Sequence, residues 1–475
     1  MLRRPRWSLL TCLALAACQP SGSRRGATVL FASGADLQSI NPLLTIHPLA
    51  RQVQRYLLLT TLARYDSALV PRPYLARSWE WSDDRRRLVF HLEFAVHWHD
   101  GLRTTAGDVE WTLRAARDPV TGYPRSSELA GLDSVAALDD STLLLHFTTP
   151  QPRFPDVLTD LAILPAHLLD TVPHDRLRQA AWNTAPVGNG PFRFVAHEAN
   201  RRWVFAANPD FPIRLGGPPR LQRFILVVVD EPTTKLAALT AGELDFAGIQ
   251  PAHADFVRRD SALAVLSYPV LLTYGVVFNT RRRPFDALAV RRRVNQGIDR
   301  REIVDGYLYG FGTPAEGPVP PGVPGYLPIA MAGASPSSRN GAAVRFELLT
   351  VGSGEAPLEQ MVQSRLLSDG FEVTIRQLEL SAFLGRVYGP AHDFEAAVLG
   401  VPGDLGLAYL QPLAELAGIA APADPAAAQR MFADSVPAAF LYHARGLQGM
   451  NRRVHGVTMD LRGELATVHD WWVAP

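Results

Sequence analysis

Three histidines and an aspartate lie close together in one stretch of the chain and could bind a metal ion. His97 and His99 would share one face of a strand, and His91 and Asp100 are near them in the sequence. Imidazole and carboxylate groups are common ligands of zinc and other transition metals. A metal site requires that such ligands converge and be held by further hydrogen bonds, so this site is one alternative.

The sequence lacks the common catalytic motifs. It contains no Gly-x-Ser-x-Gly segment that would present a nucleophilic serine, no phosphate-binding loop followed by lysine, and no His-Glu-x-x-His motif. The glycine-containing loops at residues 310–312 and 352–354 are too unspecific to indicate a nucleotide. We therefore expect a protein that is not an enzyme and that carries no cofactor and no metal.

The clearest chemistry belongs to a cysteine near the N-terminus. Arg3, Arg4 and Arg6 precede an apolar run at residues 7–15, which ends in Leu-Ala-Ala-Cys at residues 15–18. The charged start and the short apolar run are typical of a secretory signal peptide, and the run is too short to span a bilayer. The last four residues are similar to a bacterial lipobox. We expect a signal peptide at residues 1–17 and a lipidated tether at 18–26, with the lipid on Cys18. An ordinary signal peptide with a chance cysteine is the alternative.

Composition limits the class of protein. Cys12 would be removed with the signal peptide, so Cys18 would be left alone and no internal disulfide could form. The chain has 475 residues, which is too many for one compact core and indicates two or three lobes. Its formal net charge of +1 does not favour nucleic acid as a partner.

Strands and helices alternate along the chain, which indicates an α/β fold. The helix at residues 105–116 has a capping signal in Thr104 or Thr105, with Asp108 in the first turn. The apolar patterns predict strands at residues 27–32, 88–98, 142–147, 224–229, 345–350, 371–375 and 396–399. They predict helices at residues 52–63, 105–116, 233–240 and 361–367.

A series of short motifs follows in a fixed order along the chain. They are Leu-Ala-Arg-Ser-Trp-Glu (75–80), His-Asp-Gly (99–101), Thr-Ala-Gly-Asp-Val (105–109), Pro-Val-Gly-Asn-Gly-Pro-Phe (186–192), Asn-Pro-Asp-Phe (208–211), Ala-Gly-Glu-Leu-Asp (241–245), Phe-Asn-Thr (278–280), Pro-Phe-Asp (284–286) and Ile-Asp-Arg (298–300). In order and spacing this series resembles the bacterial extracellular solute-binding proteins of peptide, dipeptide and nickel ABC transporters, which are oligopeptide-binding-protein-like.

The resemblance implies a two-lobed periplasmic-binding-protein (type II) fold with an additional small domain in the N-terminal half. We expect lobe I at residues 27–58, 183–275 and 446–475, the small domain at 59–182, and lobe II at 276–445. Two crossover strands would join the lobes, one near residues 276–279 and one near the C-terminus. A monomer of this kind would be exported to the periplasmic or cell-envelope face. There it would capture a small solute, a short peptide first of all, and deliver it to an ABC transporter permease.

The resemblance also implies which residues contact the ligand. In peptide-binding members an aspartate of a Gly-Trp-x-x-Asp-like segment pairs with the terminal ammonium, and residues 400–404 are the comparable segment, with Val401 in place of the tryptophan. A buried ammonium requires such a carboxylate. A loop at residues 44–51 lies where family members face the ligand. The candidate ligand-binding residues are Asp404, Gly403, His47, Tyr274 and Asn279.

One departure from the family concerns lobe II. A Leu-Leu-x-x-Ala-Gly helix expected after Gly325 is absent, and the late apolar strand at residues 436–442 arrives early. We therefore expect an abbreviated lobe II. An alternative function follows from it: a ligand sensor or surface interaction module of the same fold that is no longer coupled to transport.

Overall fold

The computed structural model of the protein describes residues 26–45, 47–329, 343–422 and 424–474. The predicted signal peptide, Cys18, nearly all of the tether and the linker at residues 331–341 lie outside these residues. Within the described part of the chain, no helix is long and apolar enough to cross a membrane.

The strands, in chain order, are β1 (Thr28–Ser33), β2 (Ala63–Tyr65), β3 (Pro71–Pro73), β4 (Ala76–Trp81), β5 (Arg87–Leu92), β6 (Leu132–Asp139), β7 (Thr142–Phe147), β8 (Phe192–Glu198), β9 (Arg202–Ala207), β10 (Arg223–Val228), β11 (Phe246–Gly248), β12 (Leu263–Phe278), β13 (Gly312–Pro314), β14 (Val344–Val351), β15 (Phe371–Leu378), β16 (Ala396–Pro402), β17 (Ala438–Asn451), β18 (Val454–His455) and β19 (Trp472–Val473).

The α-helices are α1 (Pro48–Val53), α2 (Ala106–Arg117), α3 (Val157–Asp160), α4 (Ala166–Leu169), α5 (Pro232–Thr240), α6 (Ala254–Arg259), α7 (Leu288–Gly297), α8 (Arg300–Glu302), α9 (Pro357–Leu367), α10 (Leu380–Val387), α11 (Leu410–Ala417) and α12 (Pro425–Ser435). Two π-helical turns, Gln54–Leu58 and Ile303–Tyr307, extend α1 and α8. Short 3₁₀ turns lie at Pro119–Thr121, Ser126–Leu129, His174–Gln179, Ala181–Asn183, Ile213–Leu215, Pro251–His253 and Val468–Asp470.

One large mixed sheet runs through both lobes. Its strand order is β15-β14-β16-β12-β17-β11-β1-β10-β9-β8, and β13 also pairs with β17. The strands β14, β15 and β16 run parallel in lobe II, and β1 runs parallel to β10 and β11 in lobe I. Helices cover the faces of this sheet, as expected for an α/β fold of periplasmic-binding-protein type.

Two long strands cross between the lobes. β12 and β17 pair antiparallel along their length, and the register of this pairing shifts between Pro269 and Thr273. Pairing of β12 with β16 begins at Leu272, so the crossing lies at residues 269–272. Our expectation of a crossing near residues 276–279 is therefore wrong. The sequence does not reveal the crossing, because β12 is apolar on both sides of it. The strand is paired within the sheet in each lobe.

The small domain has its own four-stranded sheet, in the order β4-β5-β7-β6, covered by α2. Thr105 and Asp108 form the predicted capping box at the start of α2. The apolar core of this domain is continuous with that of lobe I, because Phe90 and Trp98 belong to the same buried cluster as Phe224. The small domain is therefore held rigidly against lobe I.

The glycines of the Pro-Val-Gly-Asn-Gly-Pro-Phe motif allow two backbones to touch. A Cβ atom on Gly188 would lie 2.0 Å from the carbonyl oxygen of Leu58, and one on Gly190 would lie 2.4 Å from that of Leu57. The backbone N–H groups of residues 189 and 190 donate to Leu58 at 3.1 and 2.9 Å. The motif thus holds the end of the π-helical turn Gln54–Leu58 against residues 188–190, where the chain returns to lobe I.

The predicted elements are present, and several of them have different bounds. The predicted strand at residues 142–147 is confirmed as β7, and the predicted helix at 233–240 is α5. The predicted helix at 52–63 begins earlier, at Pro48, and ends at Leu58. The predicted strand at 88–98 ends at Leu92, and Phe94, which the predicted strand would contain, is 46% exposed. A turn after Leu92 ends the strand, although apolar residues continue to alternate in the sequence. This two-residue period does not show where the hydrogen bonds to the neighbouring strand stop.

One buried ion pair ties the N-terminal strand to the end of the second crossing strand. Asp245 is fully buried and accepts hydrogen bonds from the Arg453 guanidinium at 2.6 and 2.7 Å and from the Leu30 N–H at 2.9 Å. Arg453 also donates to the Thr28 carbonyl at 2.7 Å. This pair fixes the position of β1 beside the residues that follow β17.

We expect Asp245→Ala to lower the free energy of unfolding by about 3–5 kcal/mol, because a desolvated guanidinium would lose its carboxylate. Chemical denaturation measures this change. The matched control is Asp255→Ala, which removes a carboxylate whose side chain is 77% exposed and paired with Arg258. The control should cost less than about 1 kcal/mol. An equal loss of unfolding free energy in Asp245→Ala and Asp255→Ala would contradict the stabilising role of the Asp245–Arg453 pair.

Candidate functional site

The loop after β16 carries the predicted ammonium partner. The Asp404 carboxylate accepts hydrogen bonds from the backbone N–H groups of Ala408 and Tyr409, at 3.1 and 3.2 Å. Gly403 donates its N–H to the Leu271 carbonyl at 2.8 Å, at the point where β12 crosses between the lobes. The structure thus brings Asp404 and Gly403 to the cleft side of lobe II, with Asp404 fixed by its own loop.

The small domain supplies the wall that faces this loop. A guanidinium N–H of Arg153 donates to the Gly406 carbonyl at 2.9 Å across the cleft. Arg153 also lies 3.5 Å from the carboxylate of Asp156, which in turn accepts a hydrogen bond from the Tyr65 hydroxyl. The loop that contains Asp404 is therefore in direct contact with charged side chains of the small domain.

A second charged cluster lies beside this wall. The Asp160 carboxylate is paired with Arg51, Arg55 and Arg125, and Arg125 also pairs with Glu128. Burial by itself would raise the pKa of Asp160, but the three guanidinium groups outweigh it and hold that pKa below its usual range.

Glu128 connects this cluster with lobe II. Burial raises the pKa of its carboxyl, the guanidinium of Arg125 opposes the rise, and the charges of Asp160 and Asp404 add to it. Asp156 of the small domain and Asp404 of lobe II both have a carboxylate oxygen within 3.0 Å of the position that a Cβ atom on residue 406 would take. Carboxylates from both lobes thus meet near Asp404, which suits a cationic group of a ligand.

His47 lies at the start of the helix that carries two of the arginines. Its Nδ1 accepts a hydrogen bond from the Ala50 N–H at 3.3 Å and so caps α1, and burial lowers its pKa. Arg51 lies four residues later, on the same face of the helix. The structure therefore gives His47 a capping role at the start of α1, and its contact with a ligand stays a prediction.

The structure does not bring the remaining two candidates to Asp404. Tyr274 stacks on Tyr442 with ring centroids 4.9 Å apart and packs on the face of the sheet opposite to Tyr409. Asn279 is 1% exposed, and its amide donates to the carbonyls of His392 and Phe394 at 2.8 and 3.0 Å.

Asn279 also lies at the wrong end of the sheet. Its N–H donates to Glu395, just before β16 begins, whereas Asp404 follows the far end of that strand. The separation is roughly 20 Å, because a strand rises about 3.3 Å per residue. We retain neither Asn279 nor Tyr274 as a proposed ligand contact.

A separate groove of about 950 Å³ lies between the lobes, away from Asp404. Gln250 lines it from lobe I, and Tyr307, Tyr309 and Glu355 line it from lobe II. Tyr307 packs on the same face of the sheet as Tyr274. None of the five candidate ligand residues lines this groove.

The histidines that suggested a metal site are used in the fold. His99 donates from Nε2 to the Gly190 carbonyl at 3.0 Å, its Nδ1 accepts from the Gly188 N–H at 3.3 Å, and burial lowers its pKa to about 4. His97 lies in an isolated bridge with Arg103, and its Nδ1 is 3.0 Å from the Ala95 carbonyl oxygen. Among the residues that the structure describes, no group of three or more His, Cys, Asp or Glu side chains is placed to hold a metal ion.

Sequence reasoning missed the small-domain side of the cleft. Glu128, Arg153 and Asp156 belong to no motif. Charged residues without a motif indicate only a solvent-exposed surface. The four-residue spacing of Arg51 and Arg55 was the one available signal, because it places both guanidinium groups on one face of a helix.

Comparison with known proteins gives a family and a fold. The sequence profile of the bacterial extracellular solute-binding proteins, family 5 (middle), matches residues 70–410. A putative ABC transporter peptide-binding protein of Brucella ovis is 32% identical over 242 residues, which cover 51% of this chain and 45% of that protein. The match thus spans about half the length of that relative.

Solved structures with the same fold cover almost the whole chain. The oligopeptide-binding protein AppA of Bacillus subtilis, in complex with a nonapeptide, superposes with a TM-score of 0.74 at 22% identity, covering 95% of this chain and 99% of that one. The substrate-binding protein CtaP of Listeria monocytogenes superposes with a TM-score of 0.81 at 18% identity, covering 95% and 100%. At these identities the likeness establishes the two-lobed fold alone.

We expect Asp160→Asn to lower the free energy of unfolding at pH 7 by about 3–5 kcal/mol, because three buried guanidinium groups would lose their shared carboxylate. The folded-state pKa of Asp160 lies below its unfolded value, so its stabilisation is complete above about pH 4 and is lost as the pH falls further. The gap between wild type and variant should therefore narrow below about pH 4 in urea denaturation.

The control for this titration is Asp170→Asn, at an exposed carboxylate in the same domain. It should change the unfolding free energy by less than about 0.5 kcal/mol at every pH. A gap between Asp160→Asn and wild type that does not depend on pH would contradict the ionic role of Asp160.

Proposed function

Since the chain belongs to the bacterial extracellular solute-binding proteins, family 5, we propose that it captures a short peptide between its two lobes and delivers it to an ABC transporter permease. The position of Asp404 carries the proposal. It follows the end of β16, at the edge of lobe II that contacts the small domain through Arg153 and Gly406. Relatives named as peptide-binding proteins support the ligand class.

The chemistry of this position suits the free amine of a peptide. An ammonium ion taken out of water requires a carboxylate and further acceptors. Asp404 offers the carboxylate, and its bonds to Ala408 and Tyr409 hold it in place before a ligand arrives. Gly403 offers its backbone carbonyl group beside it, and His47 is a further candidate contact from lobe I. Such preorganisation reduces the entropy lost on binding.

The same proposal gives the protein a place in the cell envelope. The Leu-Ala-Ala-Cys sequence at residues 15–18 supports export and a lipid on Cys18, which would hold the protein at a membrane surface. A monomer anchored in this way could present its bound ligand to a permease in the same membrane.

A thermal-shift screen of the purified protein with di- to pentapeptides tests the ligand class. A peptide at a hundred times its dissociation constant should add about 2.7 kcal/mol of stability. N-acetylated copies of the binding peptides should bind much more weakly, because they lack the ammonium group. No shift with any of these peptides would contradict the assignment and would favour the alternative of a sensor or interaction module.

We expect Asp404→Asn to weaken the binding of the best free-amine peptide by about 10- to 100-fold, because a charge-assisted hydrogen bond is replaced by a neutral one. Isothermal titration calorimetry measures this change. The asparagine side chain keeps an oxygen that can accept from the loop, so the fold of the loop should survive. The same substitution should have little effect on the N-acetylated peptide.

The matched control is Asp434→Asn, which removes an exposed carboxylate elsewhere in lobe II. It should bind both peptides as wild type does. If Asp404→Asn and Asp434→Asn bind the free-amine peptide equally well, Asp404 does not hold the ammonium group.

We expect Cys18→Ser to abolish incorporation of labelled palmitate and to release the protein from the membrane fraction of a bacterial host, because the thioether-linked lipid needs the thiol. Cys12→Ser is the matched control, since it lies within the predicted signal peptide, and it should remain labelled and membrane-bound. Labelling of Cys18→Ser at the level of wild type would contradict the anchor.

A further inference from the structure

Within the described residues, the contacts between the lobes include an apolar one, a cation–π contact of Arg258 with Phe311 and a hydrogen bond from a charged side chain. Leu461, which follows the second crossing strand, packs on the apolar cluster of lobe II. Arg153 of the small domain donates to the carbonyl of Gly406 at 2.9 Å, across 253 residues of sequence. The small domain shares a core with lobe I, so the Arg153 contact couples lobe I as a whole to the loop that carries Asp404.

The close approach depends on a glycine. A Cβ atom at residue 406 would lie 2.8 Å from a carboxylate oxygen of Asp156, 3.0 Å from one of Asp404 and 3.2 Å from a guanidinium nitrogen of Arg153. Two of these three atoms belong to the small domain. A side chain at residue 406 would therefore meet the opposite lobe only when the cleft is closed.

The same geometry places two like charges together. The carboxylates of Asp156 and Asp404 each approach the Cβ position of residue 406 within 3.0 Å, so their nearest oxygens are less than about 6 Å apart. At that separation two like charges repel each other, and the repulsion is stronger in a partly desolvated cleft than in bulk water. Arg153 is 3.5 Å from Asp156 and lies beside the same point, so its positive charge offsets the repulsion.

We propose that Arg153 is a latch of the closed conformation, which bonds to the Gly406 carbonyl and offsets the repulsion between Asp156 and Asp404 when the lobes meet. The latch rests on the proposed function in one respect: closure of the lobes would trap the ligand. Arg153 does not touch the ligand in this account. It positions the Asp404 loop against the small domain, and it is a positioning residue.

Arg153, with the carboxylate beside it, suits a contact that can form and break. Its side chain is 52% exposed, so one edge of the guanidinium remains in water while the other reaches across the cleft. The Asp156 carboxylate that faces it is itself held by the Tyr65 hydroxyl. A partly exposed bond of this kind is weak enough to break when the lobes open.

Single-molecule fluorescence energy transfer in the ligand-free protein tests the latch. Dyes would be attached to Leu138→Cys in the small domain and Leu384→Cys in lobe II, both exposed, after replacement of the two natural cysteines by serine. We expect Arg153→Ala to lower the ratio of closed to open molecules by about fivefold, as for the loss of a partly exposed ionic hydrogen bond.

A second substitution distinguishes the charge effect from a packing effect. In Arg153→Ala the Asp156 and Asp404 carboxylates would face each other uncompensated, so adding Asp156→Asn should restore at least half of the lost closed population. High salt should reduce the loss as well, because it screens the repulsion. An unchanged closed population in Arg153→Ala, or a loss that Asp156→Asn does not restore, would overturn the proposal.

Gly406→Ala gives an independent test that keeps Arg153. The added methyl group should lower the closed population by at least as much as Arg153→Ala while leaving the melting temperature close to that of wild type. The matched control is Gly354→Ala, at a glycine in lobe II with no atom within 4 Å of a new Cβ. Equal closed populations in Gly406→Ala and Gly354→Ala would also overturn the latch.

These measurements separate the latch from the proposed function. They are made without ligand, so a failure of every peptide to bind would leave the result for Arg153 standing. Conversely, Asp404→Asn could weaken peptide binding while Arg153→Ala leaves the closed population unchanged. That result would support the proposed function and refute the latch.

Discussion

The antiparallel pairing of β12 and β17 is the constraint on which the rest of the molecule depends. The two strands cross together between the lobes, and the other strands of the large sheet attach to either side of this pair. β16, β14 and β15 follow β12 in lobe II, β11, β1, β10, β9 and β8 follow β17 in lobe I, and β13 also pairs with the lobe II part of β17. Their register shifts only where they cross and at one further point within lobe II. Because the ladder is otherwise continuous, relative motion of the lobes must be absorbed by the few residues around Pro269 to Thr273.

This arrangement decides where chemistry can occur. Parallel strands of each lobe end at the cleft, so the loops that follow them meet there. In lobe II that loop holds Asp404, whose carboxylate is bound by its own loop's N–H groups. On the other wall the small domain contributes Glu128, Arg153 and Asp156, and α1 contributes Arg51. The candidate site is therefore a set of charged side chains contributed by lobe II on one wall and by the small domain and α1 on the other.

Buried charge serves two different purposes in this protein. Asp245 and Arg453 form a pair whose hydrogen bonds are all made within lobe I, and it stabilises one arrangement of strands. The groups around Arg153 are partly exposed and draw on both lobes. The first kind of interaction suits a scaffold, since breaking it leaves a charge in an apolar interior. The second suits a moving contact, because water can replace its partners.

The sequence by itself determined the family, the α/β class and the elements with strong local signals. The strand β7 and the capped helix α2 follow from patterns within a few residues, and the ordered motifs follow from the family. Only the tertiary structure decided the crossing at residues 269–272, the place of Tyr274 and Asn279, and the small-domain wall opposite Asp404. The physical reason is distance along the chain. Arg153 and Gly406 are 253 residues apart, and a contact of that kind leaves no periodicity or spacing in the sequence from which it could be read.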